Sequence, residues 1–101
     1  MFTWRFGDGG DVRGLWVAWL NISPRTAEKI IQLHDLTPDE VRQAVQCVPG
    51  LDFGWHHHPE RGLRAIVRVE IRSRPVLVVL YDAEDPVGDV YNLGSAYFID
   101  V

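Results

Sequence analysis

Apolar residues recur along this chain in two different rhythms. Ala27, Ile30, Ile31 and His34 stand at i, i+3, i+4 and i+7, and Val41, Ala44, Val45 and Val48 repeat the spacing. Each set lines one mostly apolar face of a helix. Both helices carry start signals. Ser23 caps the first, with Pro24 at the first helical position, where a missing N–H costs nothing. Thr37 and Pro38 repeat the arrangement, and Glu40 is placed to complete a capping box. Pro49-Gly50 is a stop. The spacing predicts helices over 24–34 and 38–48, joined by a tight corner at Asp35-Leu36.

The second rhythm has period two. Ala65, Val67, Val69 and Ile71 alternate with Arg64, Ile66, Arg68, Glu70 and Arg72, which predicts a half-buried strand with one charged side. Ser73-Arg74 reads as a turn, and Pro75 opens a central strand, "PVLVVLYD". A two-residue turn there sets Ile66 opposite Tyr81 and Arg68 opposite Val79. "EDPVGD" is the next turn. A last strand runs from Val87 or Val90 to Phe98, with a bulge at Gly94. Leu15–Leu20 is a short buried strand, and residues 1–14, rich in Gly and Asp, read as a loop or extension. The order predicts a single α+β domain over 1–101, with two N-terminal helices packed on one face of a small antiparallel sheet. The charged side of the 64–72 strand looks outward, away from the helices.

Composition narrows the function classes. The 101 residues are 47% hydrophobic and carry a net charge of −4, which suits a folded domain and argues against one that coats nucleic acid non-specifically. The charge is uneven. Arg61, Arg64, Arg68, Arg72 and Arg74 crowd into a short segment, whereas Lys and Arg are missing from Tyr81 onward. A small basic surface on an acidic body follows. No apolar run reaches membrane-spanning length. The first residues lack a signal-peptide pattern, and the one cysteine, Cys47, cannot form an internal disulfide. A cytoplasmic, bacterial-style protein is expected, with Cys47 buried at the end of its helix.

Three stretches carry a family resemblance. "HDLTPDEV", from His34 to Val41, resembles the helix corner of BrnT-type toxins of the RelE superfamily. Trp19 to Ile30 is similar to that family's first strand and helix, and "VLVVLYD" with "DVYNLGSAYF" resembles its closing hairpin. The resemblance covers roughly Leu15 to Phe98. It implies a RelE-like fold and a toxin whose partner is a cognate antitoxin. It also implies an endoribonuclease that cleaves RNA by 2′-hydroxyl attack, without metal or cofactor. Tyr97 follows Ser95-Ala96 where the family has an arginine.

Cleavage of a phosphodiester needs positive charge on the phosphate oxygens and a group that titrates near neutral pH. Arg64 and Arg68, on one side of the strand, are the candidates for the first. His58, with His57 as alternate, is the candidate acid or base, and Tyr81 or Tyr97 would contact a base. Arg61, Arg72 and Arg74 would extend the surface that meets RNA or a partner. "HHH" also admits plainer readings. It reads as a polar loop leading into a strand, and metal binding is disfavoured because neighbours on an extended chain point to opposite sides. The arginine strand reads equally as a solvated sheet face. The alternative function is a non-catalytic interaction module of the same fold that binds an acidic protein partner.

Overall fold

A computed structural model describes residues 14–99. The predicted loop over 1–14 lies, but for Gly14, outside the described residues. Strand β1 (Trp19–Asn21) is followed by helices α1 (Pro24–His34) and α2 (Pro38–Val45), then by strands β2 (Asp52–His58), β3 (Gly62–Ile71), β4 (Arg74–Asp82) and β5 (Val90–Phe98). The five strands form one sheet in the order β1-β5-β4-β3-β2. Strands β2 to β5 are an antiparallel meander, which brings β5 back beside β1, parallel to it. The sheet is therefore mixed, not antiparallel as expected. The helices follow β1 and carry the chain from one edge of the sheet to the other.

Local signals set the helix starts. The Ser23 hydroxyl accepts from the Thr26 amide at 3.1 Å, and both halves of the Thr37/Glu40 capping box form. Helix α1 ends at the predicted residue, where Asp35 turns left-handed at φ 56°. Helix α2 stops at Val45 rather than Val48. Gln46 leaves the helix to pair with Val17, and the Cys47 amide donates to the Val17 carbonyl at 2.7 Å. Cys47 then takes φ 57° and lies exposed, contrary to expectation. Ile31 is also exposed: α1 presents a narrower stripe, centred on Ile30, than its spacing suggested.

One core fills the space between the helices and one side of the sheet. Ile30, Leu36, Val41 and Val45 pack with Leu20, Ala65, Val67, Val76, Val78, Leu80 and Ala96. Ile66 and Val79 are buried too, but lie on the other side, outside that cluster. The run expected as a polar loop is strand β2. Its alternation sends Phe53 to the core side and Asp52, Gly54, His56 and His58 to the other, and a three-residue turn closes it on Gly62, at φ 81°.

The β3–β4 turn falls at Arg72-Ser73, one residue earlier than expected, with φ 56° and 60°. Positive φ at both positions gives a turn whose twist matches the strands. Pro75 explains the shift. A turn at Ser73-Arg74 would make Arg72 and Pro75 the closing pair, which exchanges N–H donors that proline lacks. The observed register sets Arg64 opposite Tyr81, Ile66 opposite Val79 and Arg68 opposite Leu77. The side assigned to each residue is unchanged; the pairs move by two.

At this turn Arg72 reaches the helices. It donates to both Glu40 carboxylate oxygens at 2.7 Å and to Asp35 at 3.1 Å. The hydrogen bonds from Arg72, and then from the Thr37 backbone, hold the Glu40 carboxyl down at about 2. A lowered carboxyl stabilises the fold above its ordinary value of 4.5, and the contribution is lost as pH falls through about 2. The thermal midpoint of Arg72→Met should lie below wild type at neutral pH. The gap should narrow as pH drops from 4.5 towards 2. A gap independent of pH would remove the ion pair from the account.

Candidate nucleic-acid interface

On the helix-free side the registers align Asn21, Asn92, Tyr81, Arg64 and His56 in one row across all five strands. The row holds two hydrogen-bonded groups. Arg64 Nε donates to His56 Nδ1 at 2.9 Å, and a terminal guanidinium nitrogen donates to the Tyr81 hydroxyl at 3.4 Å. Asn21 donates to Asn92 at 3.1 Å, and Trp19 Nε1 donates to Asn21 at 2.8 Å.

The bonds decide what this row can offer. An imidazole that accepts at Nδ1 carries its proton on Nε2. Loss of hydration, and then the charge of Arg64, push the His56 pKa below its ordinary value, so it is neutral at pH 7. The Tyr81 oxygen accepts from Arg64, which turns its own hydrogen elsewhere. The remaining guanidinium N–H groups and Tyr81 O–H are therefore donors, gathered about one positive charge that His56 helps to hold in place. That is chemistry for an anion with several oxygens, of which phosphate is the natural case.

Tyr81 is held from below and above. It leans on Gly94, where an added Cβ would come within 2.9 Å of its Cδ2 and closer to Cε2. Arg61 lies over its ring at 5.9 Å. Gly94 sits at the irregularity in the β4–β5 ladder, where the bulge was expected. Its carbonyl accepts from Lys29 of α1 at 3.0 Å.

A second row, two register steps on, holds Asp52, Arg68, Leu77 and Tyr97. Between the rows lie Gly54, Ile66, Val79 and Ser95. Arg64 and Arg68 are four residues apart, about 13 Å along a strand, or roughly two nucleotide steps of an extended backbone. Tyr97 also meets the His34 ring, 5.9 Å away beyond the sheet edge.

The other sequence candidates lie elsewhere. His57 alternates to the opposite side and does not join Arg64. His58 shares the side of His56, but its Nδ1 accepts from the Glu60 and Arg61 amides at 3.1 Å and secures the turn. The expected stripe of Arg61, Arg64, Arg68 and Arg72 is broken. Arg72 is bound to Glu40 and Asp35, and Arg74 lies 3.9 Å over the Phe98 ring. Both belong to the helix side of the hairpin tip. Sequence reasoning missed His56 as a site residue. The signal was present: "PERG" is a three-residue hairpin turn with glycine at its end, which pairs His56 with Arg64.

Among the described residues no three His, Cys, Asp or Glu side chains converge as metal ligands. No helix among them is long and apolar enough to cross a membrane.

Comparison with protein-family models, curated proteins and solved structures finds no match.

Arg64 is the one residue of the sheet face whose side chain is hydrogen-bonded to side chains of two neighbouring strands among the described residues.

Proposed function

We propose that this protein holds the phosphate backbone of RNA on the helix-free face of its sheet, as a toxin-type endoribonuclease of the BrnT and RelE kind. The observation that carries the reading is the Arg64 guanidinium, fixed between His56 and Tyr81 on the sheet face, where it and the Tyr81 hydroxyl offer donors to an anion. The sequence resemblance supplies RNA as the anion and an antitoxin as the partner that covers the face. Arg64 neutralises the scissile phosphate, and Arg68 binds the backbone further along. In the cleavage step the 2′-oxygen bonds to phosphorus while the bond to the 5′-oxygen breaks. The leaving oxygen takes a proton from the Tyr81 hydroxyl, which Arg64 holds in place, and the 2′-hydroxyl proton passes to solvent. No metal takes part.

One observation favours a second reading, the non-catalytic module. The row lacks a proton acceptor, and an acidic partner segment needs none. Incubating purified protein with RNA in a chelator separates the two. Fragments ending in 2′,3′-cyclic phosphate support the enzyme, as does growth arrest on expression without a partner. Intact RNA with saturable, salt-sensitive binding leaves a binding protein. Intact RNA without binding, together with binding of a poly-glutamate peptide, favours the module.

A further inference from the structure

The two edges of the sheet are treated differently. The outer edge of β1 is closed by α2 and by Gln46, the residue that follows it. The Leu20 amide donates to Gln46 Oε1 at 3.0 Å, and the Leu20 carbonyl accepts from Arg42 at 3.1 Å. The outer edge of β2 has no such cover among the described residues. An open edge strand is a template for another strand.

The ladder determines which groups the edge presents. Ile71 and Arg74 close the β3–β4 hairpin, so odd-numbered residues of β3 turn their backbone to β4 and even-numbered ones turn theirs to β2. Asp52, Gly54, His56 and His58, opposite Arg68, Ile66, Arg64 and Gly62, therefore bond to β3. Phe53, Trp55 and His57 turn their N–H and C=O groups outward.

We propose that a second copy of this chain pairs with this edge, β2 antiparallel to β2, about a twofold axis at Trp55. This pairing matches the segment with itself. Trp55 meets Trp55, and Phe53 meets the partner's His57, so every outward backbone group faces another. On the helix-free side, Asp52 meets the partner's His58, twice. Asp52 is exposed, and its carboxylate makes no hydrogen bond or ion pair among the described residues. His58 accepts at Nδ1 and therefore carries its proton on Nε2, free to donate to that carboxylate. Gly54 meets the partner's His56. On the other side Trp55 is 41% exposed and stands edge-on to Phe53 at 5.7 Å, so the two copies cover each other's aromatic pair. Two sheets become one, which brings two Arg64 rows onto a continuous face. The interface is one short strand per copy, small by the standard of stable complexes, so the dimer forms at high protein concentration and dissociates on dilution. The inference does not depend on the RNA reading.

Sedimentation of the full chain over a wide concentration range, with amide hydrogen exchange at its upper end, tests it. The amides of Phe53, Trp55 and His57 should gain protection as dimer forms. His57→Pro removes one outward N–H and leaves the β2–β3 ladder whole. It should be monomeric throughout with an unchanged thermal midpoint. Asp52→Lys should weaken association on the order of tenfold by setting a cation against the partner's His58 edge. The exchange Asp52→His/His58→Asp should restore it, since an aspartate at 58 can still accept from the Glu60 and Arg61 amides. If His57→Pro proves unstable, Asp52→Lys and its restoring exchange decide. A wild type that stays monomeric, a dimer that survives both variants, or protection gained at another edge would overturn the proposal.

Discussion

Arg64→Ala is expected to remove most of the affinity for RNA, and Arg64→Ala/Arg68→Ala essentially all of it at physiological salt. Each arginine that contacts one phosphate of a single strand contributes about 0.7 to the slope of log affinity against log salt. Losing both should flatten the slope by about 1.4. Arg64→Lys separates charge from geometry. It keeps the cation and so keeps the slope, yet it loses the fork that ties His56 to Tyr81. Its affinity should fall while its salt dependence stays. Stability divides the two sites differently. Arg68 is exposed, and Arg68→Ala should leave the thermal midpoint unchanged. Arg64→Ala breaks two cross-strand hydrogen bonds and should cost about 1–2 kcal/mol. Arg25→Glu on the exposed side of α1 is the control. Lys29 would serve poorly, because its ammonium is tied to the Gly94 carbonyl. Fluorescence anisotropy with a labelled single-stranded RNA at several salt concentrations measures these effects. Equal affinity for wild type and the double variant would place the interface elsewhere and leave the arginine strand a solvated sheet face.

Gly94→Ala is the second large expected effect. The new methyl would overlap the Tyr81 ring, so the ring must leave its place or the strands must part. Overpacking of this kind costs about 1–3 kcal/mol. Moving the ring also breaks the Tyr81 bond to Arg64 and shifts the Arg61 guanidinium above it. The variant should therefore lose RNA affinity as well as stability. Gly62→Ala is the comparison. Its Cβ would meet open space, and its cost comes from φ 81° alone, about 1–2 kcal/mol of backbone strain. Denaturant melts rank the stabilities, and the NMR shifts of the Tyr81 ring report its position. A Gly94→Ala protein with wild-type stability and an unmoved ring would show that the bulge has room for a side chain.

What the sequence determined by itself is local. Ser23-Pro24 and Thr37-Pro38 start two helices because caps and prolines act within one turn. Alternation assigns each residue of the 64–72 strand to its side, and period two holds whatever the strand pairs with. Even the turn at Arg72-Ser73 was legible, since Pro75 cannot close the hairpin one residue later. Tertiary structure decided what depends on distant chain. The end of α2 is set by Val17, which takes the Gln46 backbone. Arg72 and Arg74 continue the basic run in sequence, yet the left-handed turn aims Arg72 at Glu40 and Asp35 and leaves Arg74 on Phe98. A run of charges becomes a surface only if each residue keeps to one side of a strand, and a turn breaks that rule. The site itself comes from register. His56, Arg64 and Tyr81 are separated in sequence, and only the pairing of three strands brings an imidazole, a guanidinium and a phenol into one row.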